Sequence, residues 1–189
     1  GVVDKVADAQ TPQPVLAAVR FDQRPVDSIP KTGLVLVLHD LRDPGNVGTI
    51  IRSADAAGAT AVVLTGQSVD PYNPKTLRAS AGSIFHLPVV VSTLDETLAY
   101  FADSQVLATI VRGGQSFREV DFTLASVVVI GNEADGLDAA TLARCGRSIS
   151  IPMGGRSESL NAGVAASLIV FEALRQRGDA AGTPSPPSL

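Results

Sequence analysis

The chain has 189 residues, is 45% hydrophobic and carries a formal charge of −4 at pH 7, which allows one substantial core and fits one domain better than two. That acidic balance argues against a free-standing nucleic-acid binder, which needs basic residues gathered where the phosphates lie. No apolar run approaches the roughly 18 uncharged residues of a membrane span, and the N-terminus lacks the basic-then-apolar order of a signal peptide, so a cytoplasmic protein with no membrane partner is expected.

Residues 1 to 31 read as a linker. Thr11-Pro12-Gln13-Pro14 is followed by one short strand at Val15 to Val19 and a polar stretch ending at Pro30. From Leu34 the pattern alternates strand and helix. Leu34 to Leu38 is an uninterrupted apolar run, as expected of a strand buried on both faces of a parallel sheet. Further strands are predicted at Ala61 to Leu64, Pro88 to Val91, Val106 to Val111, Val127 to Ile130 and Ser148 to Ile151. Helices are predicted at Val47 to Ala57, about 75–82, 95–103 and 138–144, and Leu160 to Arg177. The last of these places Val164, Leu168, Phe171 and Leu174 on one face at spacings of three and four. Such alternation implies an α/β fold, a mostly parallel sheet covered by helices. The Gly, Ala, Thr, Pro and Ser tail at 178–189 is expected to be disordered. Cys145 is the only cysteine, and His39 and His86 lack partners at ligand spacing, so neither a disulfide nor a metal site is expected.

Three loops that follow predicted strands carry the candidate chemistry. Asp40 to Arg52 runs from the first strand into a helix, the place where open α/β sheets bind ligands and where free N–H groups favour anions. Asn46 and Arg52 are the candidates there; the plainer alternative is a Pro-Gly turn with Asn46 as helix cap and Arg52 as a solvated charge. In Gly131-Asn132-Glu133-Ala134-Asp135-Gly136, glycines on both sides of Glu133 let the backbone approach a ligand closely, or else the acids are simply solvated. In Ile151-Pro152-Met153 through Ser159-Leu160-Asn161, Ser159 is either a functional hydroxyl or an N-cap. No Gly-x-Gly-x-x-Gly or Gly-x-Ser-x-Gly elbow is present, which weakens a nucleotide-dependent oxidoreductase and a serine hydrolase respectively, and the Gly-Lys-Ser/Thr ending of a P-loop is absent.

Taken in order, these segments resemble the three motifs of the SpoU, or TrmH, branch of the SPOUT RNA methyltransferases. Asn46 and Arg52 match the first, Gly131-Asn132-Glu133 with Gly136 the second, and Ile151-Pro152-Met153 with Ser159-Leu160-Asn161 the third. Asn73-Pro74-Lys75 and Arg78-Ala79-Ser80-Ala81-Gly82 are also similar, so the likeness covers the catalytic domain at 32–177. Ala162-Gly163 stand where many members have Val-Ser, a departure that matters little while the residues stay small. Thr11-Pro12-Gln13 resembles the junction after an N-terminal domain similar to ribosomal protein L30e. Met153 is the only methionine, so either residues precede Gly1 or the start has been processed; the resemblance implies that such a substrate-binding segment stands ahead of Gly1.

The resemblance implies a fold that periodicity does not suggest, a C-terminal deep trefoil knot with S-adenosylmethionine held bent among its loops. It implies Gly131, Ile151 and Leu160 as cofactor contacts, a homodimer, and methylation of a ribose 2′-hydroxyl in RNA, 23S ribosomal RNA ahead of tRNA. Arg52 is implied at the 2′-hydroxyl or its neighbouring phosphate. An arginine, with a pKa above about 12, is a poor base, so its expected role is electrostatic. Asn46, Ser159 and Asn161 are expected to orient the nucleotide and the knot loops, and Glu133 to position Arg52 or the ribose. A non-catalytic RNA-binding module of the same fold is the remaining alternative, against which the presence of both Arg52 and Glu133 argues.

Overall fold

The six strands predicted from Leu34 onward and all five predicted helices form, within a few residues of their expected limits, in a computed structural model that describes residues 18–20 and 23–181. The strands are β1 (Leu34–His39), β2 (Ala61–Thr65), β3 (Val89–Val91), β4 (Gln105–Thr109), β5 (Gln115–Ser116), β6 (Ser126–Ile130) and β7 (Arg147–Ser150). The helices are α1 (Pro44–Ala56), α2 (Pro74–Ser80), α3 (Leu94–Tyr100), α4 (Ala139–Arg144) and α5 (Ala162–Ala181). Every strand pairing is parallel, and the order across the sheet is β3-β2-β1-β6-β4-β7-β5. β5 escaped the sequence reading because it is two polar residues with no periodicity to detect.

Because side chains alternate across a strand, each central strand feeds two cores. Leu34, Leu36 and Leu38 join Leu64, Val128 and Ile130 on the face covered by α1 and α5. Val35 and Val37 join Val63, Val127 and Val129 on the opposite face, which is closed by Leu94 and Phe101. This two-sided burial is what an unbroken apolar run requires, at about 1.5–3 kcal/mol for each fully buried large side chain.

The segment before β1 departs from a free linker. Ile29 is buried in the second core, and the Tyr100 hydroxyl donates to the carbonyls of Ile29 at 2.9 Å and Asp27 at 3.0 Å. Of the strand expected at Val15 to Val19, Val15 to Ala17 lie outside the described residues, and Ala18 and Val19 are not in a strand.

α5 continues through Gly178 to Ala181, beyond its expected end at Arg177; residues 182–189 lie outside the described residues. Its buried side is the small-residue side, with Ala162, Ala166 and Ala173 among Ile169 and Val170. Val164, Leu168, Phe171 and Leu174 form the outward stripe. The reason is close approach to α1: a Cβ at Gly163 would stand 3.2 Å from the Thr49 methyl, and the hydroxyls of Ser53 and Ser167 share a hydrogen bond at 2.7 Å. The smallness of Gly163 is therefore used, as expected.

Candidate active site

β1 and β6 are neighbours in register, Leu38 opposite Ile130, so their following loops leave the sheet side by side. α1 then covers the first core, whereas α4 brings Leu142 to the second. The chain diverges to opposite faces at this point, which opens a crevice at the carboxyl ends of the strands.

The loop after β1 begins with Asp40 at φ 56°, a left-handed conformation unusual for a residue with a Cβ. Three neighbours hold it there. Asp40 donates its backbone N–H to Thr65 O at 3.2 Å, its carboxylate accepts from Gln67 N at 2.6 Å, and its carbonyl accepts from the Asn132 amide at 3.0 Å. Pro44 then opens α1 and Asp43 caps it, accepting from Asn46 N at 2.8 Å. Asn46 is thus not the cap, and its side chain is released for other work.

That work joins the three candidate loops. The Asn46 amide donates to Glu133 Oε1 at 3.0 Å, while its carbonyl oxygen accepts from the Asn161 amide at 2.9 Å. Asn161 Oδ1 in turn accepts from the backbone N–H groups of Gly163 at 2.9 Å and Val164 at 3.2 Å. Asn161, not Ser159, is therefore the cap of α5. The result is a directional chain from the helix N-terminus through Asn161 and Asn46 to Glu133, linking residues 115 and 87 positions apart in sequence.

Glu133 also accepts from the backbone N–H groups of Asp43 at 3.2 Å and, at the limit of a hydrogen bond, Arg42 at 3.5 Å. Burial pushes its pKa up, but the Asn46 amide and the backbone donors of Glu133, Asp43 and Arg42 together outweigh that and hold it below its ordinary value. Of its two expected roles, positioning Arg52 or positioning the ribose, the first has no direct contact behind it. Among the described residues no ion pair joins Glu133 and Arg52, and Glu133 instead braces the first loop.

Arg52 is exposed on α1, three residues beyond Thr49 and so on neighbouring parts of the helix surface. Among the described residues its guanidinium has no hydrogen bond or ion pair, so its five donors remain open to an anion.

Beside this network lies a cavity of about 450 Å³, within the usual range for a small-molecule site. Gly131, Ile151 and Leu160, the three predicted cofactor contacts, all line it, as do Glu133 and Ser159. Asn46, Arg52 and Asn161 do not line it, and the first and last of these stand behind its wall through the hydrogen-bond chain. Ser159 sits at the exposed rim, its carbonyl accepting from the Ser157 hydroxyl at 2.9 Å.

Gly131 is required for a reason other than ligand space. A Cβ there would lie 2.6 Å from Leu137 N and closer still to the Gly136 carbonyl carbon, so the loop folds its own backbone across this residue. Gly136 closes the same turn with φ 71°. Thr109, Ile110 and Val111 form a further wall that sequence reasoning missed. The available signal was their place at the carboxyl end of a strand.

Residues 33–171 match the SpoU rRNA Methylase family. The chain belongs to that family. It is 38% identical over 170 residues to the 23S rRNA (guanosine(2553)-2'-O)-methyltransferase RlmP of Bacillus subtilis, covering 88% of this chain and 66% of that protein. It is likewise 38% identical over 187 residues to the 23S rRNA (uridine(2479)-2'-O)-methyltransferase of Streptomyces viridochromogenes, covering 93% of this chain and 65% of that protein. The chain thus spans just under two thirds of both relatives. Among solved structures, the AdoMet-bound rRNA methyltransferase of Sinorhizobium meliloti is similar at a TM-score of 0.77 and 35% identity, over 82% of this chain and 61% of that one.

Proposed function

We propose that this family member transfers a methyl group from S-adenosylmethionine to a ribose 2′-hydroxyl of RNA, with 23S ribosomal RNA ahead of tRNA as substrate and the cytoplasm as the place of reaction. The observation that carries the reading is the hydrogen-bond chain from Asn161 through Asn46 to Glu133, which builds one crevice from three distant motifs. The relatives' names, both 23S rRNA 2'-O-methyltransferases, support the substrate class.

The cavity fits the cofactor by size and by chemistry. Its walls combine apolar side chains and main chain at Gly131, Ile151 and Leu160 with the acidic residues Glu133, Asp135 and Glu158, a mixture suited to an adenosine and a methionyl chain that carries an amino group and a sulfonium. When bound there, S-adenosylmethionine supplies an electrophilic methyl group. Arg52 meets the RNA, drawing the phosphate and the developing 2′-oxyanion by charge and forked hydrogen bonds. The hydroxyl proton passes to phosphate oxygen or water, because a guanidinium is a very poor base and the hydrogen bonds that Glu133 accepts from Asn46 and the first loop make its carboxylate a weaker base than usual. Asn46 and Asn161 hold the two loops at fixed separation, and Ser159 orients the nucleotide from the rim.

The path of the chain is consistent with the family's trefoil knot: it leaves β7, lines the cavity from Ile151 to Leu160, and returns as α5 against α1. The outward stripe of α5, with Val164 and Phe171 each 48% exposed, favours a homodimer, and Arg52 then serves the cavity of either subunit. Sedimentation would yield a dimer on this reading. A monomer would remove α5 as the interface. Mapping 2′-O-methyl positions in RNA from cells with and without the gene tests the activity itself; one position lost with the gene supports it, and an unchanged map opposes it.

A further inference from the structure

The two flanks of α1 differ in chemistry. On one, α5 presents the apolar stripe of Val164, Leu168 and Phe171. On the other, α2 presents Lys75 and Arg78, both exposed. Two glycines of α1 let α2 come this close. A Cβ at Gly48 would stand 2.6 Å from the Thr76 carbonyl oxygen and 2.9 Å from Ser80 N, and one at Gly45 would meet the Lys75 side chain at 3.9 Å. Thr76 and Ser80 are buried beneath the contact, which leaves Lys75 and Arg78, neighbours at a spacing of three, on the outer side of α2.

Arg52 belongs to the same face of α1. At about 100° per residue, Gly45 and Gly48 lie within roughly 20° and 40° of it around the helix. The chain beyond α2 continues along this face, since His86 Nδ1 stands 3.6 Å from Asp55 Oδ2, about one turn past Arg52. Arg52 therefore lies alongside the end of α2, and Lys75, over Gly45, lies about 10 Å nearer the start of α1.

These cations are also available. Among the described residues, Arg52 and Arg78 have neither an ion pair nor a hydrogen bond, and Lys75 reaches Asp43 only at 3.8 Å, in an exposed pair of the kind that contributes little. On the later helices the cations are taken: Arg144 pairs with Asp95, Arg175 pairs with Glu172 at 2.7 Å, and Arg177 donates to the Phe122 carbonyl at 2.7 Å. A chain with a formal charge of −4 thus sets Lys75, Arg78 and Arg52 together on one face.

We infer that the α1–α2 face is the backbone track of the RNA strand beside the methylated nucleotide, with Lys75 and Arg78 neutralising phosphates next to the one that Arg52 meets, a proposal that rests on the reading of the chain as an RNA methyltransferase. The apolar flank of α5 offers a phosphate nothing, so the strand leaves Arg52 over α2. Contacts of this kind fix the strand's position and carry affinity without reading bases.

The test is the salt dependence of binding. The chain is titrated by fluorescence anisotropy against a labelled single-stranded RNA dodecamer over a series of salt concentrations. Each phosphate neutralised on a single strand adds about 0.7 to the slope of log affinity against log salt, so Lys75→Ala and Arg78→Ala should each reduce the slope by about 0.7 and the double variant by about 1.4. Lys75→Arg and Arg78→Lys keep the charge and should keep the slope. Arg144→Ala removes the same charge from α4, on the opposite face of the sheet, and should leave the slope unchanged. S-adenosylmethionine affinity should hold throughout, which separates lost phosphate contacts from lost folding. An unaltered slope in both alanine variants, or an equal reduction in Arg144→Ala, overturns the track while the methyltransferase reading stands. No RNA binding by the wild-type chain at low salt likewise overturns the track, whereas failure of the full-length enzyme to methylate ribosomal RNA overturns the reading beneath it.

Discussion

Asn46 and Arg52 belong to one helix and one motif, yet the structure treats them in opposite ways. Asn46 is held at both ends of its amide, by Glu133 and Asn161, whereas Arg52 is exposed and, among the described residues, unpaired. The contrast teaches a division of labour. Groups that must keep two loops in place around a cavity are fixed to one another in advance, and the cation that meets a polyanion is left without an internal competitor that RNA would have to displace.

The strongest test of that contrast is Arg52→Ala, which should lower methyl transfer by the full-length enzyme at least about a hundredfold while cofactor affinity stays within a few-fold. Arg52→Lys should recover little, since a point charge does not reproduce a fork of donors. Single-turnover rates and calorimetric titration check both.

Gly131→Val sharpens the contrast from the other side. It drives a branched side chain into the Gly136–Leu137 backbone, so it should cost about 1–3 kcal/mol and abolish cofactor binding. Gly154→Ala, where an added Cβ meets nothing within 4 Å, should change neither. Thermal melts with and without S-adenosylmethionine separate the two.

A smaller effect is expected along the hydrogen-bond chain. Asn46→Ala and Asn161→Ala should each cost about 1 kcal/mol, and the double variant should cost less than the sum by about 0.5 kcal/mol or more. Strict additivity in denaturant melts would mean that the two amides act independently.

The smallest effect is electrostatic. Glu133 is held below its ordinary carboxyl value in the folded chain, so its ionised form contributes stability that is complete above the usual carboxylate range and is lost as pH falls through the lowered folded value. Glu133→Gln should therefore flatten the acid limb of a melting profile taken from roughly pH 6 to pH 3. An identical acid limb in the variant would remove this contribution.

The strands were legible because Leu34 to Leu38 and Val127 to Ile130 are apolar without interruption, and burial on both faces of a parallel sheet demands that. The site was legible as three motifs but not as a network. Nothing in the spacing of Asn46, Glu133 and Asn161 says that two amides would chain them, because the geometry depends on β1 and β6 being sheet neighbours although a long stretch of sequence separates them. Neither alternative cap holds, for a local reason: Asn46 and Ser159 are good capping residues, but Asp43 before Pro44 and Asn161 before Ala162 stand at the actual helix starts. The apolar stripe of α5 read correctly as a stripe, while its outward direction follows from the small residues that let the other side approach α1.

The chemistry itself is tested most directly by the fate of a labelled methyl group. Full-length enzyme incubated with methyl-labelled S-adenosylmethionine and unmodified ribosomal RNA should place the label on a ribose, and because alkaline cleavage needs a free 2′-hydroxyl, the label should be recovered in an alkali-resistant dinucleotide. Label recovered in a mononucleotide carrying a methylated base would contradict the account.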